Sequence, residues 1–389
     1  MIAERHAAVH TWFFATARLT VPPNWRATLK SVGATPSVYS IVHGRRFAQA
    51  AGVTGMHVLV IGGAGMLGRA LARLLHQAGH RVTSFDLLPC PDSGVTSLSG
   101  DVRDAEALLA ACAGMDAVIH TVAYVNQLPT RQPLMYDINV LGVQQTIDAC
   151  RANHVPRLIY TGSIDAVFDG TPIRDGDERL PYPAQHLDYY SETKMLGEQA
   201  VIAANSEQLA TCSLRMAGLY GEHDKHRFPN VIPMVDRSGR FTRIGDGRAR
   251  FNHVYIDNAA YAFALAVERL DIGSPLAGQC YFITDHAPDN FFDFFERYLT
   301  ALNLTYQTTT LPAGAAQILA QGSELTYKLS GGKGKPPVLS RYTVAATSRD
   351  FWFNHDKAAR DFGYAPIISA DDAFERTLAW ARETLISGH

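Results

Sequence analysis

The chain has 389 residues, 47% of them hydrophobic, and a formal net charge of −2. That length buries a large core and accommodates one large domain with a smaller lobe, while scattered basic residues at near-neutral charge exclude a nucleic-acid surface. No apolar run reaches the ~18 residues that span a bilayer, and the five cysteines (Cys90, Cys112, Cys150, Cys212 and Cys280) lie far apart without a C-x-x-C pair, as reduced thiols of a cytosol-like compartment do. A soluble, cytoplasmic protein with no membrane span is expected.

Residues 1–55 differ in character from the rest. They carry six basic residues against the single acid Glu4, with no sustained period. A basic, acid-poor presequence, a loosely docked arm and a reading frame extended upstream of Met56 all have this composition. The last two fit best, and the segment is expected to carry no catalytic residue.

The first element begins just after Met56. Val58, Leu59, Val60 and Ile61 form a short apolar run that reads as a buried strand. Gly62, Gly65 and Gly68 follow at the turn, and Leu67, Leu71, Leu74 and Leu75 then share one helical face. Glycines at this spacing allow a tight turn, a close backbone approach to a pyrophosphate and helix-to-sheet packing, with the helix N-terminus aimed at the anion. Gly62, Gly65, Met66, Leu67 and Gly68 are therefore candidate cofactor contacts. The next strand, Arg81 to Phe85, ends in Asp86, a carboxylate placed to accept from ribose hydroxyls and to repel a 2′-phosphate, which favours NAD over NADP. A third short strand leads to "GDVRD", where Asp101 and Val102 border the expected adenine site.

Farther along, residues 104–113 read as a helix, 116–125 as a buried strand carrying Thr121 and Ala123 into a loop, and 137–153 as a helix bearing Asn139. "RLIYTGSIDAVF" is another strand, ending at Ser163; a polar loop from Asp169 to Leu187 then leads to a helix over about 189–204. Strands alternating with helices predict an α/β class fold, a Rossmann doubly wound parallel sheet whose ligands lie at the strands' carboxyl ends. The divisions expected are 56–225 for the NAD-binding domain and 226–389 for a smaller substrate lobe interleaved with returning Rossmann elements. In that lobe "NFFDFFERYLTALN" reads as an aromatic helix, mostly core, and "SGGKGKPP" at 330–337 as a flexible turn or lid.

The helix at 189–204 holds Tyr190-x-x-x-Lys194, which places phenol and ammonium on one face. A phenol of pKa near 10 needs a drop of roughly three units to serve as acid and base at neutrality, and a close ammonium acts in that direction. Lys194 is also placed to hold the nicotinamide ribose, and Ser163 to hydrogen-bond the same substrate oxygen as Tyr190. Tyr-x-x-x-Lys alone arises in many helices by chance; its position behind a strand-end serine and a glycine turn gives it weight. His223 and His226 form H-x-x-H, but with no third ligand in reach they read as a solvated pair, and no metal is expected.

With "GGAGMLG", "INVLGVQQTIDAC", "RLIYTGSIDAV", "YSETKMLGEQAV", "LRMAGLYGEHD", "NHVYIDNAAYAFALA" and a C-terminal "NHDKAARDFGYAPIISADDAFERTLAW", residues 57–385 resemble the extended short-chain dehydrogenase/reductase superfamily. Within it they are similar to the 3β-hydroxysteroid dehydrogenase and sterol-4α-carboxylate 3-dehydrogenase family. The resemblance implies a catalytic triad of Ser163, Tyr190 and Lys194, with Asn139 a fourth member that braces the sheet or contacts the cofactor. It also implies NAD as cofactor, a small apolar alcohol or ketone as substrate, and a homodimer built on the helices carrying Asn139 and Tyr190. Two positions depart from the family pattern: Val122-Ala123 replaces a small pair, and Gly162 stands where serine or threonine is common. Nucleotide-sugar epimerases and dehydratases share the fold and triad, but they commonly place asparagine where this chain has Gly218 and arginine where it has Phe251. A steroid or sterol therefore competes mainly with a 2-alkyl-3-oxo acid as substrate, and a catalytically silent NAD sensor is disfavoured by the intact triad.

Overall fold

Seven strands form one parallel sheet. They are β1 (His57–Ile61), β2 (Arg81–Asp86), β3 (Thr96–Ser99), β4 (Ala117–His120), β5 (Arg157–Ser163), β6 (Ala210–Met216) and β7 (Gln279–Ile283), arranged β7-β6-β5-β4-β1-β2-β3 in a computed structural model. Residues 55–127, 130–332, 337 and 339–386 are described. The expected N-terminal extension lies outside the described residues except for Gly55, as does the centre of the 330–337 turn. All described residues belong to one compact unit.

Side-chain alternation in β1 sends Val58 and Val60 to one face of the sheet and Leu59 and Ile61 to the other. The first face is covered by α1 (Met66–Gln77) and α5 (Ile256–Arg269), through Leu67, Leu71 and Leu75 and through Ala259, Phe263 and Val267. The second is covered by α2 (Ala105–Ala111), α3 (Gly142–Ala152) and α4 (Tyr189–Ala203), through Leu108, Val143, Ile147 and Val201. The strand order reverses beside β1, which pairs with β2 on one side and β4 on the other, and the crevice opens at that switch point.

Local departures from the sequence reading have identifiable causes. The fourth strand stops at His120 rather than running to residue 125, because the Tyr124 backbone pairs with the Asn139 side chain instead of a neighbouring strand. The helix expected over 137–153 begins with a short turn, Pro133–Tyr136, and a π-helical turn, Asp137–Leu141, before α3. Such a bulge turns Asn139 inward. Within the polar loop, Ile173–Gly176 is a strand, paired in parallel with Phe351–Phe353. Together with Arg250–Phe251 and Asp289–Asn290 these form a second, four-stranded sheet that joins residues on both sides of the expected boundary at 225. Helix Phe291–Ala301, capped by the Asn290 side chain, buries Phe294, Phe295 and Tyr298 around Phe228 and Phe292 against Phe241. Among the described residues, no helix is long and apolar enough to cross a membrane.

A buried ion pair anchors α4 to the sheet. Glu198, with no exposed side-chain surface, accepts from Arg215 at 2.8 Å, Ser213 at 2.6 Å and Tyr182 at 2.8 Å. A Cβ at Gly162 would collide with Ser213 Oγ and lie 2.7 Å from Glu198 Oε2. The glycine that departs from the family pattern therefore makes room for this network. Removing one partner of a buried pair strands the other charge. Glu198→Ala is predicted to lower unfolding free energy by about 3–5 kcal/mol in urea titrations, whereas Arg131→Ala, at the exposed Arg131–Glu192 pair, costs less than about 1 kcal/mol. Comparable small losses for both would contradict the anchoring role.

Candidate active site

The glycine turn joins β1 to α1. Gly62 adopts φ +90°, and a Cβ there would lie 2.6 Å from Thr121 Oγ1; a Cβ at Gly68 would run into the Gly62 carbonyl. The turn can therefore form only with glycine, and it delivers Gly65, Met66 and Leu67 to the lining of a cleft at the strands' carboxyl ends. Asp86 holds the edge of this turn, accepting from Ala64 N at 3.1 Å and Leu88 N at 3.2 Å. Asp101 is engaged in a forked pair with Arg103, whose guanidinium holds its carboxyl below the usual range. Val102 is buried beneath Gly142.

The same cleft is lined by Thr121, Ala123, Ser163, Tyr190 and Lys194. Gly62, Gly68, Asp86, Asp101, Val102 and Asn139 do not line it; the first four of these frame the turn and its flanking strand ends. Asn139 is buried, with its amide bonded to the Tyr124 backbone in both directions and to Thr193 Oγ1 at 3.0 Å. Its side chain ties the loop after β4 to α4. The residues present fit NAD: the glycine turn leaves space at a helix N-terminus, Asp86 disfavours an added phosphate, and Thr161 Oγ1, in the cleft wall, is buried without a partner among the described residues.

Helix α4 starts where the Asp188 carboxylate accepts from Ser191 N at 2.9 Å and from Ser191 Oγ at 2.8 Å. One turn in, Lys194 Nζ donates to Tyr160 Oη at 2.7 Å and to the Thr161 carbonyl at 2.6 Å. Burial pulls its pKa down to about 7, against the attraction of Glu198 and Asp165. Burial also pushes the Tyr190 phenol up, as do the neighbouring carboxyls of Asp165 and Asp188, and the Ser163 hydroxyl acts the other way. The protein alone thus keeps Tyr190 protonated. His120 accepts no proton at neutrality, since burial and Lys194 lower its pKa to about 3.

Three residues escaped the sequence reading. Asp165, two positions after Ser163 in "SIDAV", accepts from Ser163 Oγ at 2.9 Å and from Tyr342 Oη at 2.7 Å. Tyr342 comes from helix Arg341–Ser348, so a segment far along the chain holds the partner of Ser163. Arg227 precedes helix Phe228–Ser238 and lines the cleft opposite the nucleotide turn. Only Asp165 had a local signal, a strand-end carboxylate beside the serine. Among the described residues, no group of three or more His, Cys, Asp and Glu side chains is arranged to hold a metal.

The family model described as "3-beta hydroxysteroid dehydrogenase/isomerase family" matches residues 59–313. The chain belongs to this family. Its relatives are named oxidoreductases. It is 34% identical to a 2-alkyl-3-oxoalkanoate reductase of Stenotrophomonas maltophilia, over 83% of this chain and 99% of that protein. It is 34% identical to short-chain dehydrogenase/reductase family 42E member 1 of Mus musculus (79% and 84% covered) and 30% identical to a 3-beta-hydroxysteroid dehydrogenase of Mycolicibacterium neoaurum (83% and 90%). The fold is similar to that of MoeE5 in complex with UDP-glucuronic acid and NAD, with a TM-score of 0.66 at 20% identity over 85% of this chain and all of that one. It is also similar to epimerase Mth375 of Methanothermobacter thermautotrophicus, with a TM-score of 0.70 at 19% identity over 91% and 98%.

Burial raises the Asp188 carboxyl from 3.8 to about 7. A folded pKa above the unfolded one means that the folded state holds the proton more tightly. The contribution of Asp188 to stability is then full below about pH 4 and is lost as pH rises through about 7. Asp188→Asn keeps a capping acceptor and removes this titration. Chemical unfolding at pH 5 and pH 8 is expected to show a smaller loss in the variant than in the wild type; equal losses would contradict the assignment.

Proposed function

We propose that the protein is an NAD-dependent oxidoreductase that interconverts a secondary alcohol and a ketone on a small apolar substrate. The observation that carries this reading is the convergence of Ser163, Tyr190 and Lys194 on one cleft wall beside the glycine turn. Tyr190 takes the substrate hydroxyl proton, and Ser163, whose O–H is given to Asp165 in the free protein while its oxygen accepts from Asp165 N, turns that O–H toward the oxygen that becomes the carbonyl. NAD, when bound, accepts the hydride from the carbinol carbon and brings a positive ring, a charge of the sign that lowers a phenol's pKa. Lys194, fixed by Tyr160 and Thr161, presents its ammonium to the cleft for a ribose hydroxyl.

An apolar substrate agrees with the wall formed by Met216, Leu219, Phe251, Phe291 and Ala346. A nucleotide sugar agrees less well. A Cβ at Gly218 would lie 2.6 Å from both Arg227 Nη1 and Phe251 Cε1, so the asparagine common in epimerases has no room, and Arg248 and Arg250 are exposed and outside the lining. Within the apolar class, the relatives' names point to 3β-hydroxysteroids and to 2-alkyl-3-oxo acids. A cytoplasmic setting is part of the proposal.

Purified protein supplied with NAD and a panel of both substrate classes is expected to form reduced nicotinamide. Tyr190→Phe should lower kcat by about 10²–10⁴-fold while leaving NAD affinity nearly intact. In the same assay Asp86→Ser should raise the use of NADP relative to NAD. Retained turnover in the first variant, or a wild type that prefers NADP, would overturn the respective role.

A homodimer is also proposed, through the helices bearing Asn139 and Tyr190. Leu134, Tyr136 and Leu141 stand exposed along the first of these, where an apolar contact would cover them. Light scattering should give twice the chain mass; a monomer across the micromolar range would remove this claim.

A further inference from the structure

Arg227 lines the cleft with guanidinium donors that the protein does not use. Its Nη1 donates to the Gly218 carbonyl at 3.2 Å and to His253 Nδ1 at 2.9 Å. No hydrogen bond from Nε or Nη2 and no ion pair of Arg227 occurs among the described residues. The contrast with Arg215 is direct, since that guanidinium is met by both oxygens of Glu198.

The nearby carboxylates are committed elsewhere. Asp224 accepts from the backbone N–H groups of His226, Arg227 and Phe228. Asp165 is taken by Ser163 and Tyr342. The half-buried Arg227 guanidinium sits among the rings of Phe251, Phe291 and Phe295, at 5.5, 5.6 and 5.5 Å from their centroids, which hold it in place. His253 adds no charge, because burial and Arg227 keep it neutral. Lys225 and His226 line the same wall. A guanidinium with unused donors, held by aromatic rings at a cleft wall, is suited to a forked pair with an oxyanion.

We propose that Arg227 recognises the carboxylate of the substrate, which is then a β-hydroxy acid with one carbon between the carboxylate and the carbinol. This deepens the oxidoreductase reading and rests on it. Arg227 lines the same cleft as Ser163 and Tyr190, and it feels the charges of Asp224 and of Asp165, the residue that holds Ser163. In the reaction the carbinol hydride passes to NAD, the hydroxyl proton passes to Tyr190, and a C=O bond forms. The carboxylate is unchanged, and the product is a β-oxo acid. A steroid alcohol lacking a carboxylate leaves Arg227 unanswered. A sugar nucleotide's diphosphate shares the oxyanion chemistry and is separated from the carboxylate by the test.

The test compares 2-alkyl-3-hydroxyalkanoic acids with their methyl esters, under NAD, in wild type, Arg227→Gln and Arg227→Lys. A charge-assisted bond is worth about 10- to 100-fold here. The acid-to-ester ratio of kcat/KM should be of that order in wild type, fall toward unity in Arg227→Gln and be partly restored in Arg227→Lys. Thermal unfolding with decanoic acid or UDP, in the presence of NAD, gives a readout independent of turnover. Decanoic acid should raise Tm in wild type and not in Arg227→Gln, and UDP should not do so. Equal use of acid and ester, or an acid preference kept in Arg227→Gln, would overturn the proposal while leaving the dehydrogenase reading intact. Arg227-dependent stabilisation by UDP alone would assign the site to a diphosphate. Absence of NAD reduction with every alcohol would sink the dehydrogenase reading itself, and decanoic acid would still report on Arg227.

Discussion

Two charges buried on one face of α4 constrain the rest of the site. Lys194 and Glu198 lie one turn apart, and each is met by groups of β5 or β6: Tyr160 and Thr161 for the lysine, Ser213 and Arg215 for the glutamate, which also accepts from Tyr182. Rotating or sliding the helix would leave a charge unpaired in the interior, which costs several kcal/mol. The phase of α4 is therefore set, and Tyr190, one turn before Lys194, is delivered to the cleft with it. The Asp188 cap and the Asn139–Thr193 bond hold the same end of the helix from two other directions.

That rigidity has an electrostatic consequence. The burial that fixes Lys194 also lowers its pKa to about 7, and the burial of Tyr190 beside Asp165 and Asp188 raises the phenol. The acid–base poise of the site thus depends on the charge brought into the cleft as well as on the triad. Tyr342 couples this poise to a segment far along the chain, because its hydroxyl and Ser163 share one carboxyl group. Arg227 lines the cleft from another segment. Nucleotide-side geometry is local to β1 and α1, whereas substrate-side geometry is assembled from residues far apart in the chain.

This division explains what could be read from the amino-acid order. The first five strands of the main sheet, the glycine turn, Asp86 and the pair Tyr190 and Lys194 are encoded by contiguous runs or helical spacing, and the fold class and strand-end placement of Ser163 followed from them. Ile173–Gly176 was not legible: "IRDG" has no strand periodicity, and its pairing is with Phe351–Phe353, far away in the chain. The π-helical turn at Asp137–Leu141 was likewise hidden, since its cause is the bond that Asn139 makes across space. Tyr342 and Arg227 carry no motif. Gly162 and Gly218 read only as departures from a pattern, and their physical reason, the crowding of Glu198 at one and Arg227 at the other, needed coordinates.

The account centres on hydride leaving a carbinol carbon at Ser163, Tyr190 and Lys194. The most direct measurement is mass spectrometry of the nicotinamide product after turnover with NAD and an alcohol deuterated at that carbon. The account predicts one deuterium transferred to each reduced nicotinamide, with the ketone released. Unlabelled NAD recovered together with an isomerised or dehydrated product would contradict it.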